Sequence, residues 1–306
     1  MNDPNGLIFY EGEWHLFYQY FPDDVVNGWM HWGHAVSRDL LTWEDLPIAL
    51  FPDENGLIFS GSTVYDPATD RLVAVFTHFS ISPSTIKWEL QSLAFSSDGR
   101  GRTWTKHPGN PVLPPPERPS WGADPTQYHK TNFRDPKVQW HEASHSWVMV
   151  VSVGDGLLFY TSHDLESWHL RSEFTGHGIH PAPKDSDGLM WECPDLIPLM
   201  HGGVTYWVLL VSINNNGGNV GGPSGGSGTQ YFVGKFNGTH FTNANAPEVV
   251  KWLDHGHDNY AGVTFSGVPN AHDARHVFIG WNSNWGYAKQ VPTEGWRSGM
   301  TIPRTL

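Results

Sequence analysis

Short runs of alternating hydrophobic and polar residues, separated by turn-forming residues, extend along the whole chain. The first two runs are residues 7–10 and 14–20, on either side of Glu11-Gly12-Glu13. A period of two, bounded by a glycine-containing turn, predicts a β-hairpin. We find no convincing stretch of ten residues with the spacing of three and four that predicts a helix. The pattern therefore predicts an all-β fold, with further strands at 72–79, 147–153, 157–161, 205–211, 231–236 and 276–281.

A polar turn that ends in tryptophan repeats along the chain. Residues 37–43 and 162–168 share the pattern Ser-x-Asp-Leu-x-x-Trp, and residues 96–104 are a looser copy. The aspartates of the three copies are spaced by 59 and 66 residues. Units of roughly 60 residues, each made of about four short strands, match the blades of a five-bladed β-propeller. We interpret the turns themselves as structural, with the tryptophan packed beneath each turn.

Composition supports this fold and restricts the partners. The 33 glycines and 23 prolines supply many turns, and aromatic residues make up 14% of the chain. The formal charge of −13 would repel nucleic acids and anionic membranes, so we expect neither as a partner. The single cysteine excludes an internal disulfide, and the 18 histidines form no metal-ligand pattern. We therefore expect no metal ion and no cofactor, and we find no signal peptide or membrane-spanning run.

Three acidic residues lie beside proline or tryptophan in short segments that are not charged runs. Asp3 lies in MNDPNG, Asp135 in FRDPK and Glu192 in WECPDL, at separations of 132 and 57 residues. These separations are about two blades and one blade, and the innermost strands of a propeller surround one channel. Carboxyl groups that meet in an aromatic-rich pocket indicate glycoside hydrolysis, in which one acid protonates the leaving oxygen while another attacks the sugar or activates water. Glu192 is the better general acid, because an apolar neighbour raises the pKa of a carboxyl group.

The chain resembles glycoside hydrolase family 32 in six segments that stand in the family's order. They are the three segments above, FSGS (59–62), GGSGTQYFVG (225–234) and GWRSGMTIPRTL (295–306). That family comprises invertases, exo-inulinases, levanases and related fructan hydrolases. The resemblance implies that residues 1–306 form a five-bladed β-propeller catalytic domain. Members of the family also carry residues before the first motif and a β-sandwich after the propeller, and we expect both to be missing from this chain. The full-length protein is expected to be secreted.

The resemblance also implies a role for each acid. Asp3 would be the nucleophile, Glu192 the general acid/base and Asp135 the stabiliser of the transition state. Together they would release fructose from sucrose, a fructo-oligosaccharide or a fructan with retained configuration. Trp29 and Trp32 would flank the entrance, and Trp281 or Trp285 would form an aromatic wall. The full set expected to bind the sugar is Asn2, Gln19, Trp29, Trp32, Phe59, Ser60, Arg134, Asp258, Tyr260, Trp281 and Trp285.

Two other functions stay open at this point. A related five-bladed hydrolase of the arabinan- or xylan-cleaving type would use the same three acids but invert the configuration. A non-catalytic sugar-binding propeller would have no need of a nucleophile. Sucrose, inulin and levan are not distinguished by the sequence, nor is hydrolysis from fructosyl transfer. Substrate choice is expected to depend on the loops at residues 22–32 and 214–227.

Overall fold

The structure, a computed structural model, describes the chain except residues 81–87, 97, 117–131, 155, 180–189, 215–221 and 270–275. Within the described residues, the β-strands form five separate antiparallel sheets. This confirms the all-β fold and the five units that the repeated turn predicted. Each run that was predicted to be a strand lies within a strand, apart from His276, which precedes its strand by one residue. Part of the predicted specificity loop at 214–227 falls outside the described residues.

The five sheets follow one another in chain order, and we call them blades I to V. Blades I to IV have four strands each, and blade V has three in the described part of the chain. Blade I holds β1 (Pro4–Tyr10), β2 (Glu13–Tyr20), β3 (His31–Ser37) and β4 (Trp43–Leu50); blade II holds β5 (Leu57–Asp66), β6 (Arg71–Ser80), β7 (Trp88–Ser96) and β8 (Trp104–Lys106). Blade III holds β9 (Phe133–His141), β10 (Ser146–Val153), β11 (Gly156–Ser162) and β12 (His169–Phe174). Blade IV holds β13 (Met190–His201), β14 (Val204–Asn214), β15 (Gly228–Phe236) and β16 (Phe241–Asn243); blade V holds β17 (Tyr260–Thr264), β18 (Val277–Trp281) and β19 (Arg304–Thr305). Two 3₁₀ turns lie at Glu142–Ser144 and Ala288–Gln290.

The first strand of each blade is the innermost one. β1, β5, β9, β13 and β17 contact one another in ring order, and β1 contacts β17. The ring closes through backbone hydrogen bonds between blade I and the segment after β17. Phe9 N–H donates to the carbonyl of Ser266 at 2.9 Å, and Ser266 N–H donates to the carbonyl of Leu7 at 3.0 Å. The first and last blades are therefore joined without a disulfide.

The hydrophobic core lies between the blades. Blades II and III bury Val75, Leu93 and Met149 against each other, and the same kind of contact recurs at the other junctions. Because each blade is covered on both faces, its middle strands are buried almost throughout, as all eight residues of β10 are. This packing fixes the inner strands and hence the side chains that they present to the axis.

The repeated turns connect the third and fourth strands of blades I, II and III. In blade III, Ser162 Oγ donates to Asp164 Oδ1 at 2.9 Å, and the same oxygen accepts from the N–H groups of Glu166 and Ser167. Trp168 closes the turn by donating from Nε1 to a backbone carbonyl at 2.8 Å. Equivalent serine and backbone contacts surround Asp39 and Asp98. The structural interpretation of these turns is confirmed.

Candidate active site

A pocket of about 190 Å³ lies where the inner strands meet, and the three acids predicted from the sequence all line it. Asp3 immediately precedes β1, Asp135 lies on β9 and Glu192 on β13, so three different blades each contribute one carboxyl group. The complete lining is Asn2, Asp3, Gln19, Asn27, Met30, Phe59, Ser60, Arg134, Asp135, Glu192, Asn214, Trp285 and Lys289.

The backbone of each of the five inner strands is irregular at one point. Each inner strand shifts its pairing register once against its neighbour, and four of the shifts contain a residue with positive φ. A β-bulge bends its strand and redirects a side chain, which is why bulges occur beside active sites. The four residues with positive φ are Gly6 (55°), Asp135 (63°), Cys193 (47°) and Ala261 (53°). Three of them carry a side chain, and such backbone strain is typical of functional sites.

Asp3 is held by donors on both of its oxygens. Asn2 Nδ2 donates to Oδ1 at 3.0 Å, and Ser60 Oγ donates to Oδ2 at 2.8 Å. The backbone carbonyl of Asp3 accepts from Gln19 N–H at 3.0 Å, which ties the residue to β2. Hydrogen bonds to an ionised carboxylate stabilise its charge and fix its direction, as a nucleophile requires.

Glu192 is enclosed, and its side chain is 12% exposed. Tyr260 hydroxyl donates to Oε2 at 2.6 Å, and Arg134 Nη1 donates to Oε1 at 3.2 Å. Burial raises the pKa of Glu192, the positive charge of Arg134 opposes this, and the negative charge of Asp3 adds to it. The pKa of Glu192 is raised overall, so this carboxyl group can keep a proton that it later donates.

Asp135 is 6% exposed and is fixed through its backbone as well as its carboxyl group. Its N–H donates to Thr77 Oγ1 at 3.1 Å, and its Oδ2 accepts from Cys193 N–H at 2.9 Å. Cys193 Sγ lies 3.5 Å from Oδ2 of Asp135 and 3.5 Å from Oδ2 of Asp3. The thiol therefore lies next to both carboxyl groups and shows that they are neighbours in the pocket. Burial raises the pKa of Asp135, and the negative charge of Glu192 adds to the effect, whereas the positive charge of Arg134 opposes it.

Six of the residues expected to bind a sugar line this pocket: Asn2, Gln19, Phe59, Ser60, Arg134 and Trp285. Gln19 is 3% exposed, and its Nε2 has no hydrogen-bond partner in the described part of the chain. Arg134 lies over the ring of Phe59, with Cζ 5.7 Å from the ring centre. Tyr260 does not itself line the pocket but reaches it through its hydrogen bond to Glu192. Their contacts with a substrate stay a prediction.

The expected position of Trp32 at the entrance is wrong. Trp32 is 1% exposed and packs in the core between blades I and II, against Phe17 and Phe76. Its Nε1 donates to the carbonyl of Phe59 at 2.9 Å, which satisfies its one polar group. The register of β3 turns this side chain between the blades, where its large apolar surface is buried. Trp29 is 57% exposed and does not line the pocket, so its role at the entrance stays a prediction.

Asp258 does not line the pocket either. It is partly exposed, and its Oδ1 accepts a hydrogen bond from the hydroxyl of Tyr287. Of the two tryptophans offered as an aromatic wall, Trp285 lines the pocket, whereas Trp281 is 1% exposed and packs against the Trp285 ring at 4.7 Å. Trp281 thus supports the wall from behind, and it lines an adjoining small cavity.

Sequence reasoning missed several residues of this site. Asn27, Met30, Asn214 and Lys289 line the pocket. The first three lie within the loops at 22–32 and 214–227 that were expected to influence substrate choice, but no motif singled them out, and Lys289 lay in no predicted part of the site. Glu89 lies behind the pocket, is 0% exposed and pairs with Arg134. No sequence signal pointed to it, because the alternation of Glu89 and Gln91 with Trp88 and Leu90 would ordinarily predict that the polar pair faces solvent, whereas both are 0% exposed.

The described residues contain no group of three or more His, Cys, Asp or Glu side chains placed to hold a metal ion. In the same part of the chain, no helix has the length and apolar character needed to cross a bilayer.

The chain is similar throughout its length to known proteins. The model of the glycosyl hydrolases family 32 N-terminal domain matches residues 1–306. A levanase of Bacillus subtilis is 48% identical over 318 residues, an alignment that covers 100% of this chain and 42% of the levanase. The crystal structure of exo-inulinase from Aspergillus awamori superposes with a TM-score of 0.84 at 38% identity, covering 100% of this chain and 61% of that one. A β-fructofuranosidase from Schwanniomyces occidentalis, complexed with fructosyl-erythritol, has a TM-score of 0.83 at 36% identity and is covered to 56%.

The chain belongs to glycoside hydrolase family 32, and the resemblance inferred from its motifs is confirmed. The chain spans 42% of the levanase and between half and two thirds of the two structural relatives.

Proposed function

We propose that this family 32 domain is a retaining β-fructofuranosidase, which releases fructose from sucrose or a β-fructan. The observation that carries the proposal is the arrangement of three carboxyl groups from three blades in one pocket, with Glu192 held toward its protonated form and Asp3 held by hydrogen-bond donors. A pocket of about 190 Å³ has room for a sugar ring rather than for a few water molecules. The names of the relatives, a levanase, an exo-inulinase and a β-fructofuranosidase, support fructosides as the substrate class.

In the first step, an oxygen of Asp3 attacks C2 of the fructosyl unit, and the bond from C2 to the leaving oxygen breaks. The leaving oxygen keeps the electron pair of that bond and takes the proton of Glu192. A covalent fructosyl ester on Asp3 results. In the second step, Glu192 takes a proton from water, the water oxygen bonds to C2, and Asp3 leaves as a carboxylate. Two displacements on the same carbon retain its configuration.

Asp135 and the donors around the pocket assist both steps. Asp135 stabilises the transition state through hydrogen bonds to the sugar hydroxyls, which hold the ring in place while positive charge develops on it. Arg134, Gln19 and Asn2 offer N–H groups to the sugar hydroxyls. The ring of Trp285 offers an apolar face on which a sugar can pack.

Fructose release from sucrose, inulin and levan by the purified chain tests the proposal, with Asp3→Asn and Glu192→Gln beside the wild type. Loss of roughly 10³-fold or more in each variant, with an unchanged thermal melt, is the expected result. A matched control is Asp164→Ala, in the surface turn of blade III, which should keep wild-type turnover. Binding without turnover in the wild type would instead indicate a sugar-binding propeller.

The anomer formed at early times, observed by NMR, distinguishes the two hydrolase classes. Retention agrees with the double displacement, and inversion would indicate the arabinan- or xylan-cleaving type of mechanism.

We also propose that residues 1–306 act as a catalytic domain and that the full-length protein is secreted, as the word extracellular in the name of the exo-inulinase relatives suggests.

A further inference from the structure

Glu89 is a fully buried acid that the proposed reaction does not use. It lies on β7, two strands away from the inner strand of blade II, and it is 0% exposed. Its Oε2 accepts from Phe133 N–H at 2.6 Å and from Arg134 Nε at 3.1 Å, and its Oε1 accepts from Arg134 Nη2. Every one of these partners is a donor, and a carboxylate is the form that accepts from all of them.

Arg134 is therefore held at two points on one side by Glu89, and its remaining Nη1 donates to Oε1 of Glu192 at 3.2 Å. Two parallel contacts with a carboxylate fix the plane of a guanidinium, because its donors form a rigid fork. The Phe59 ring lies beside the Arg134 guanidinium, with Cζ 5.7 Å from the ring centre. The direction in which Arg134 reaches Glu192 thus depends on Glu89.

We propose that Glu89 is a positioning residue for the acid/base step. Glu89 aims Arg134 at Glu192 and neutralises part of the positive charge of Arg134, so that Glu192 can carry the proton that it donates. This inference rests on the proposed glycosidase function. Glu89 does not touch the pocket, and it acts only through Arg134.

The charges around Glu192 explain why such a partner is needed. The groups that face it are Asp3, Arg134, Asp135, Cys193, Tyr260 and, at the pocket wall, Lys289. A bare guanidinium next to Glu192 would favour its ionised form and remove its proton at lower pH. Burial raises the pKa of Glu89 to about 7 against the attraction of Arg134, so Glu89 carries its full negative charge above that pH.

The test is the pH dependence of kcat/KM for sucrose in the wild type and in Glu89→Gln. Without the negative charge, Glu192 should lose its proton earlier, and the alkaline limb should move to lower pH by roughly one unit. Glu13→Gln is the matched control, since Glu13 also pairs with an arginine, Arg102 at 2.7 Å, but far from the pocket. Its alkaline limb should coincide with that of the wild type. A folded Glu89→Gln protein with an unshifted limb would overturn the inference, because a merely structural role lowers activity equally at all pH values.

Glu89→Asp covers the case in which Glu89→Gln does not fold. It keeps the charge but is one methylene shorter, so it cannot reach both Phe133 and Arg134. Its alkaline limb should stay within a few tenths of a unit of the wild type, while kcat falls about tenfold. A wild-type kcat in Glu89→Asp would contradict the positioning role.

The same comparison can be made without turnover. Carboxyl ¹³C NMR, with Glu192 assigned from Glu192→Gln, gives the pKa of Glu192 directly in the wild type and in the Glu89 variants. A wild type that hydrolyses no fructoside would refute the proposed function, whereas an equal pKa of Glu192 with and without the Glu89 charge would refute this inference.

Discussion

Tyr260 donates a hydrogen bond from its phenolic hydroxyl to Oε2 of Glu192 at 2.6 Å. Both residues are enclosed, with Tyr260 1% exposed and the Glu192 side chain 12% exposed. Burial raises the pKa of Glu192, and this hydrogen bond opposes the effect because it favours the ionised form. Burial and this hydrogen bond thus act in opposite directions on the pKa of Glu192, which suits a group that must both donate and accept a proton.

Tyr260→Phe removes the hydroxyl and leaves the ring. The pKa of Glu192 should rise, so we expect the alkaline limb of kcat/KM to move to higher pH by up to about one unit. The shift is opposite in sign to the one expected for Glu89→Gln. Because Glu192 also loses one of its orienting contacts, kcat should fall about tenfold. Steady-state kinetics across pH measure both effects, with the more exposed Tyr206→Phe as control, and a limb that moves to lower pH would contradict the assignment.

We expect two histidines buried between blades to make the fold sensitive to acid. His15 and His34 are 1% and 0% exposed, and their rings are joined by a 3.1 Å hydrogen bond. Burial lowers the pKa of His15 to about 4 and that of His34 well below its usual value. The unfolded chain therefore binds more protons below about pH 6.5, and the free energy of unfolding should fall as the pH drops from there toward 4. The loss should be on the order of 2 kcal/mol.

Denaturant unfolding at pH 7, 5.5 and 4.5 measures this effect. His34→Gln should lose less stability between pH 7 and 4.5 than the wild type does, although its stability at pH 7 is lower. His240→Gln, at an exposed turn, serves as control. Parallel curves for the wild type and His34→Gln would show that the buried pair does not govern the acid sensitivity.

The thiol of Cys193 should be unreactive in the folded protein. It is 4% exposed, and burial together with the neighbouring Asp135 and Asp3 carboxylates raises the pKa of the thiol well above its ordinary value. The thiolate is the reactive form, so labelling by a disulfide reagent should be slow at pH 8 and fast after unfolding in guanidinium. Spectrophotometric thiol counting checks this, and rapid stoichiometric labelling of the native protein would contradict the burial of this residue among acids.

The repeated turn should contribute to stability and not to activity. Asp164→Ala removes the acceptor for Ser162 Oγ and for two backbone N–H groups at 2.9 and 2.7 Å. We expect the free energy of unfolding to fall by about 1 kcal/mol, as it does when a side-chain cap is lost. Thermal or denaturant melts measure the change. A large loss of turnover at a temperature where the variant is folded would show that this turn is more than structural.

Much of the site could be predicted because its chemistry depends on residue type. Asp3, Asp135 and Glu192 stood in separate segments at intervals of one or two blades, and the structure brings all three into one pocket. Asn2, Gln19, Phe59, Ser60 and Arg134 followed from the family resemblance and line the same pocket. Sequence placed Asn214 at the start of a loop expected to influence substrate choice but did not single it out, and it missed Lys289, because nothing local distinguishes a pocket-lining residue at a strand end or in a 3₁₀ turn from any other polar residue.

The sequence by itself determined the strands, the number of blades and the identity of the three acids. Period-two alternation and a repeated hydrogen-bonded turn are local properties that the chain carries without reference to its tertiary structure. Only the tertiary structure decided which aromatic rings face the pocket. Both faces of each blade are covered by neighbouring blades, so alternation could not reveal that Trp32 is core and Trp285 is wall. The bulges at Asp135 and Cys193, whose N–H groups donate to Thr77 and Asp135 of the preceding blades, likewise involve contacts between residues more than 40 positions apart in the chain, as does the buried Glu89 behind Arg134.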